Sequence, residues 1–144
     1  MTEADVIGEG EYGSGGGHII RRMGSLRAAL IYDANCPVCR AAADWGRRNA
    51  AAPDAFEFLP CRSEATRTRF PSIDEDACLQ AMHLVLADGT IFAGERAIPE
   101  ILRRTRRYRR AAILFRLPGA GILSGVLYRA FASRRHRIAK RLFP

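Results

Sequence analysis

The apolar run "RAALIYD", ending at Asp33, meets two cysteines one helical turn apart, and this junction constrains the fold more than any other part of the chain. The run is long enough for a buried strand and too short for a helix. After Cys36, Pro37 suits a first helical position, because its missing N–H would have no partner there and its fixed φ already matches the helix. Val38, Ala42 and Trp45 fall at i, i+4 and i+7, which puts one apolar stripe on the helix, and "AAAPDA" ends it. The chain thus passes from strand to helix through "DANCPVC" (33–39).

Downstream, "FEFLP" (56–60) alternates apolar and acidic residues as a half-buried strand would. Between Arg62 and Ala81 the pattern predicts a short helix on either side of Pro71. In "MHLVLADGTIFAG" (82–94), Asp88-Gly89 lies between two apolar runs and supports the positive φ of a tight hairpin turn. Ile98, Ile101 and Leu102 then predict a further helix. The order is β-α-β-α-β-β-α, with the first two strands parallel across a helical crossover and the last two an antiparallel hairpin. That is an α/β, thioredoxin-like arrangement.

A C-terminal helical extension follows. Tyr108, Ala111, Ala112 and Phe115 share a helical face, Pro118-Gly119 breaks the chain, and Leu123, Val126, Leu127 and Phe131 resume the pattern. At 144 residues the chain suits one domain with a real core. The expected division is a flexible Gly-rich leader over 1–25 ("GEGEYGSGGGH"), a thioredoxin-like domain over 26–105, and a basic helical extension over 106–144 packed on that domain. The leader shows no apolar run behind basic residues, so it does not read as a secretory signal, and a cytoplasmic location is the expectation.

Cys36-Pro37-Val38-Cys39 at a helix start has a chemical rationale. Unpaired backbone N–H groups and the positive end of the helix dipole favour the thiolate of the first cysteine, so Cys36 is expected to titrate below the ordinary value of about 8.5 and to attack disulfides. Cys39, one turn further in and expected to be the more covered, would resolve the mixed disulfide. Asp33 has two readings: a carboxylate that takes the proton of Cys39 or holds the loop's N–H groups, and an ordinary turn-forming residue beside Asn35. An ionised Asp33 would raise a neighbouring thiol's pKa, against the dipole.

"LIYDANCPVCRAAADW" followed by "MHLVLADGTIFAGERAI" resembles the DCC family of predicted thiol-disulfide oxidoreductases, named for its Asp, Cys, Cys motif. The resemblance spans about residues 28–140 and includes "RLPGAG" and the Tyr128 helix with its basic end. It implies a thioredoxin-like fold with Asp33, Cys36 and Cys39 as the motif residues. Thioredoxins and glutaredoxins resemble one another in a cis-proline just before the third strand, where this chain has Met82. Substrate docking by backbone pairing is therefore not expected there, and Met82 reads as core.

Of the four cysteines, Cys61 and Cys78 lie far apart in sequence on either side of Pro71. A second redox pair, a relay or zinc ligation would be conceivable readings, but two free buried cysteines are the expectation. His18, His83 and His136 show no ligand spacing, so neither a metal nor a cofactor is expected.

Charge is uneven: through Glu100 ten arginines face all fifteen acids, a net of −5, and after Glu100 there are thirteen Lys and Arg and no acid. "RRTRRYRR" and "RRHRIAKR" sit on or beside amphipathic helices, so their arginines are expected to be solvated while the apolar face docks on the domain. No nucleic-acid module is visible. The partners expected are a disulfide-containing protein or a low-molecular-weight thiol, glutathione included, with weak, salt-sensitive contact to an anionic membrane or acidic partner. A thioredoxin-like binding module recruited by its tail, with incidental thiols, is the alternative.

Overall fold

A computed structural model describes residues 27–142; the leader and His18 lie outside them. Four strands form one sheet in the order β2-β1-β3-β4. β1 (Ala28–Tyr32) is buried at all five positions because it runs between two neighbours. β2 (Phe56–Pro60) pairs with it in parallel, Leu30 opposite Phe58, and β3 (His83–Val85) antiparallel, Leu30 opposite Leu84. β4 (Ile91–Ala93) completes the antiparallel edge. The fold is the expected thioredoxin-like α/β arrangement.

Alternation along β1 supplies both faces of the sheet. Ala29 and Ile31 join Leu59, Cys61, Cys78 and Val85 in one apolar cluster, while Ala28 and Leu30 join Phe56, Leu84 and Ala97 in the other. The first cluster is covered by the crossover helices α2 (Glu64–Arg69) and α3 (Glu75–Gln80), which lie on either side of Pro71 as predicted. Each is capped by the side chain before it: Ser63 accepts from the Thr66 N–H and Asp74 from the Ala77 N–H. Glu57 on the edge strand pairs with both terminal nitrogens of Arg69, at 2.6 and 2.9 Å.

The structure corrects one expectation here. Cys61 and Cys78 are not free thiols but are bonded to each other, with Cα atoms 5.8 Å apart across a separation of 17 residues. The crossover brings them together: Cys61 follows β2, its N–H donating to the Tyr32 carbonyl, and Cys78 lies on the buried face of α3.

On the other face lie α1 (Pro37–Asn49) and α4 (Ala97–Arg103). α1 buries Ala43 and Gly46, with Gly46 close against the Phe58 ring. Its stripe Val38, Ala42 and Trp45 walls a cavity instead of filling the core. The hairpin turn is closed by Gly89 N–H to the Leu86 carbonyl, with Gly89 at φ 88° as Asp88-Gly89 predicts.

Beyond α4, residues Arg109–Arg116 form a 3-10 helix, not the expected α-helix. At three residues per turn Ala112 and Phe115 stack in register toward the domain, and Tyr108 leans on Trp45 at 5.3 Å between ring centroids. After Gly119 (φ 83°) the chain turns into α5 (Ala120–Leu142), which crosses back over α1.

Gly94, in a 3-10 turn after β4, has φ 58°, and a Cβ there would lie 3.0 Å from the Tyr128 ring of α5. Gly94→Ala is expected to cost about 2 kcal/mol, from left-handed strain and displacement of the ring. Urea unfolding reads it; an unchanged midpoint would contradict this account of how α5 seats.

Candidate functional site

The site forms where β1 gives way to α1. The carboxylate of Asp33 accepts the Asn35 N–H at 2.9 Å, and the Asp33 carbonyl accepts the Cys36 N–H at 3.2 Å. Both bonds curl the loop so that Cys36 becomes the N-cap of α1, with Pro37 at the first helical position. The Cys36 Sγ accepts the backbone N–H of Cys39 at 3.4 Å. The sulfur thus takes the place of the usual capping oxygen at the positive end of the helix.

Burial runs opposite to the sequence-based expectation. Cys36 is only 3% exposed, because the capping position tucks its side chain against the first turn, whereas Cys39 is half-buried. Exposure therefore does not rank the two thiols as the sequence suggests. Burial, the hydrogen bond with Cys36 and the negative charge of Cys36 push the Cys39 thiol up to about 12. Asp33 adds to this, and Arg135 opposes it. Cys39 is thus held as a thiol.

Cys39 lines an apolar cavity of about 300 Å³, walled also by Leu30, Val38, Trp45, Met82, Ile101 and Tyr128. Met82 precedes β3, packs against the cluster around Leu30, and its carbonyl accepts the Gly94 N–H at 2.9 Å. That carbonyl is consequently engaged within the fold. No cis peptide bond occurs among the described residues. His83, on β3, is bonded through Nδ1 to the Ala81 carbonyl, and burial pushes its pKa down. Among the described residues no three potential ligands cluster for a metal.

Sequence reasoning missed Arg135. Read within a solvated basic run, it instead reaches inward, its guanidinium bonding the Leu79 and Gln80 carbonyls at the end of α3 while its side chain lines the cavity beside Cys39. Its Nε is buried without a partner. A signal was present: Tyr128, Ala132, Arg135 and Ala139 recur at i, i+4, i+7 and i+11, the inward face of α5.

Comparison with curated proteins and with solved structures returns no match. The family model of DCC1-like thiol-disulfide oxidoreductases matches residues 30–141, which takes in the loop, both cysteines, the cavity walls and nearly all of α5. The strand-to-helix dithiol therefore has its place in a recognised family: this chain belongs to the DCC1-like thiol-disulfide oxidoreductases.

Proposed function

We propose that Cys36 is the attacking thiolate and Cys39 the resolving thiol of a dithiol that reduces disulfides, the observation that carries this being the Cys36 sulfur seated at the N-cap and accepting the Cys39 N–H. The Cys36 thiolate attacks one sulfur of the substrate disulfide, forming a Cys36–substrate bond and expelling the other sulfur as a thiolate that takes a proton from water. Attack consumes the charge on Cys36. Two of the causes that hold Cys39 protonated, the hydrogen bond and the charge of Cys36, then disappear, while the opposing influence of Arg135 remains. Cys39 loses its proton to water, attacks the Cys36 sulfur and closes the Cys36–Cys39 bond as the second substrate sulfur leaves as a thiolate. The substrate gains two electrons and the dithiol loses two.

The substrate we favour is a protein disulfide flanked by an apolar side chain, because the cavity next to Cys39 is apolar and Arg135 is the one cation in its wall among the described residues. Glutathione, with two carboxylates, suits such a wall poorly. A Cys39→Ala variant offered protein disulfides and glutathione disulfide together is expected to retain the protein as a mixed disulfide at Cys36, read by intact mass; preferential glutathione adducts would reverse the substrate reading.

For Asp33 we favour the loop-holding role, supported by its bond to the Asn35 N–H. Asp33→Asn keeps an oxygen able to accept that bond and is expected to preserve both steps, whereas Asp33→Ala leaves the Asn35 N–H unheld and should slow the first attack about fivefold, in line with the loss of roughly 1 kcal/mol of capping-type hydrogen bonding. Stopped-flow measurement of both variants decides between the roles. Resolution slowed by Asp33→Asn would assign the carboxylate to proton transfer.

A further inference from the structure

The 3-10 helix Arg109–Arg116 and α5 meet at a bend of 110°, and the residues around that elbow are out of keeping with a water-facing surface. Leu114, Leu117, Ile122, Leu123, Val126 and Leu127 are all more than half exposed, Ile122 at 76%. Isolated exposed leucines are ordinary, but six on two adjoining arms make a continuous apolar tip. From Leu117 through Tyr128 no residue is charged, and the segment is bounded by Arg116 and Arg129. Every charged residue after Glu100 is basic.

We propose that this elbow is a membrane-docking device: its apolar tip enters the interfacial layer of an anionic lipid surface while the flanking arginines engage the headgroups. No single helix among the described residues is long and apolar enough to cross a bilayer, and the 110° bend gives a wedge that lies in the interface. Arginine stems cover apolar surface while their guanidinium groups stay at the polar boundary, which suits Arg116 and Arg129 at the two ends of the uncharged tip. Charge selects the occupant. A second copy of the chain would set one acid-free basic segment against another, whereas phosphatidylglycerol or phosphatidylserine supplies the missing negative charge. The inner face of α5 carries Tyr128 and Arg135, so docking also holds the cavity beside Cys39 close to the lipid. The docking itself does not depend on the redox reading.

Vesicle sedimentation of the full chain tests it. Binding is expected to vesicles of phosphatidylcholine with phosphatidylglycerol, and much less to phosphatidylcholine alone. High salt should weaken binding without abolishing it, because inserted apolar side chains are not screened. Ile122→Ser combined with Leu123→Ser removes two side chains that already face water, so folding should be retained by circular dichroism. Partitioning should fall about 100-fold or more, the equivalent of withdrawing two large aliphatic groups from an apolar phase. No binding to the anionic vesicles would overturn the proposal. So would binding that the double variant keeps in full, which would mean a purely electrostatic contact, and so would a concentration-dependent dimer that the double variant abolishes while vesicles are ignored.

Discussion

Cys36→Ser is expected to reduce attack on a model disulfide to the uncatalysed background, while Cys39→Ser attacks at close to the wild-type rate and then stops as a stable mixed disulfide. The asymmetry follows from the geometry of one helical turn. The Cys39 N–H that meets the Cys36 sulfur at 3.4 Å belongs to the backbone and survives replacement of the Cys39 side chain. The Cys36 sulfur therefore keeps this contact in Cys39→Ser. In Cys36→Ser the capping contact is preserved by an oxygen that holds its proton near neutral pH and is a far weaker nucleophile. The remaining sulfur, Cys39, is pushed up to about 12 in the dithiol, chiefly by burial, and burial persists in the variant. Loss of the Cys36 charge lowers Cys39 from that value, as it does in the mixed disulfide, but burial still holds it raised. Cys39 is therefore a poor attacking group toward a disulfide from solution, whereas in the mixed disulfide its target sulfur lies one helical turn away. Intact mass after exposure to a disulfide separates the outcomes. Full activity in Cys36→Ser with loss of the initial attack in Cys39→Ser would reverse the two roles.

The second large effect concerns the other pair. Replacing Cys61 and Cys78 together by Ala is expected to cost about 3 kcal/mol, the chain-entropy value for opening a loop of this length, with some further loss from the core around Ile31 and Val85. Comparing urea midpoints in a background where Cys36 and Cys39 are both Ser isolates this bridge from the active dithiol. The consequence extends to the site. Cys78 anchors α3, and the last carbonyls of α3 and the residue line leading from it, Leu79 and Gln80, hold the Arg135 guanidinium beside the cavity. Loosening α3 should therefore also slow resolution by Cys39, since Arg135 is the influence that favours its ionisation. An unchanged midpoint would show that the bond contributes nothing to folding stability.

The two cysteine pairs occupy opposite faces of the sheet, and the reason lies in its parallel pair of strands. β1 and β2 run in parallel and end side by side, Tyr32 opposite Pro60, so the loops that follow them start at one end of the sheet. The first loop feeds Cys36 into α1 on the Leu30 face; the second places Cys61 in the cluster of the Ile31 face. One end of the sheet thus carries a structural disulfide and a free dithiol, separated by the strands.

Local chemistry was enough to read much of this from the chain. The β1-to-α1 junction was legible because a buried five-residue strand, a turn-forming Asp-x-Asn and a proline at the first helical position all act within a few residues of one another. The hairpin was legible for the same reason, through the glycine that its turn requires, and the parallel β1–β2 pair and the antiparallel β3–β4 pair followed from how crossovers and hairpins connect. What only the tertiary structure decided depends on distant residues meeting. The Cys61–Cys78 bond needed the crossover to fold back over 17 residues. The inward turn of Arg135 needed carbonyls more than fifty residues away. The apolar stripe of α1 gave no sign that it would wall a cavity, because periodicity specifies which side chains share a face and is silent on what that face meets. The same holds for the elbow: its leucines and isoleucines have a helical pattern whether they are buried or exposed, and their exposure is set by α5 turning Tyr128 and Arg135, and not Leu123 and Leu127, toward the domain.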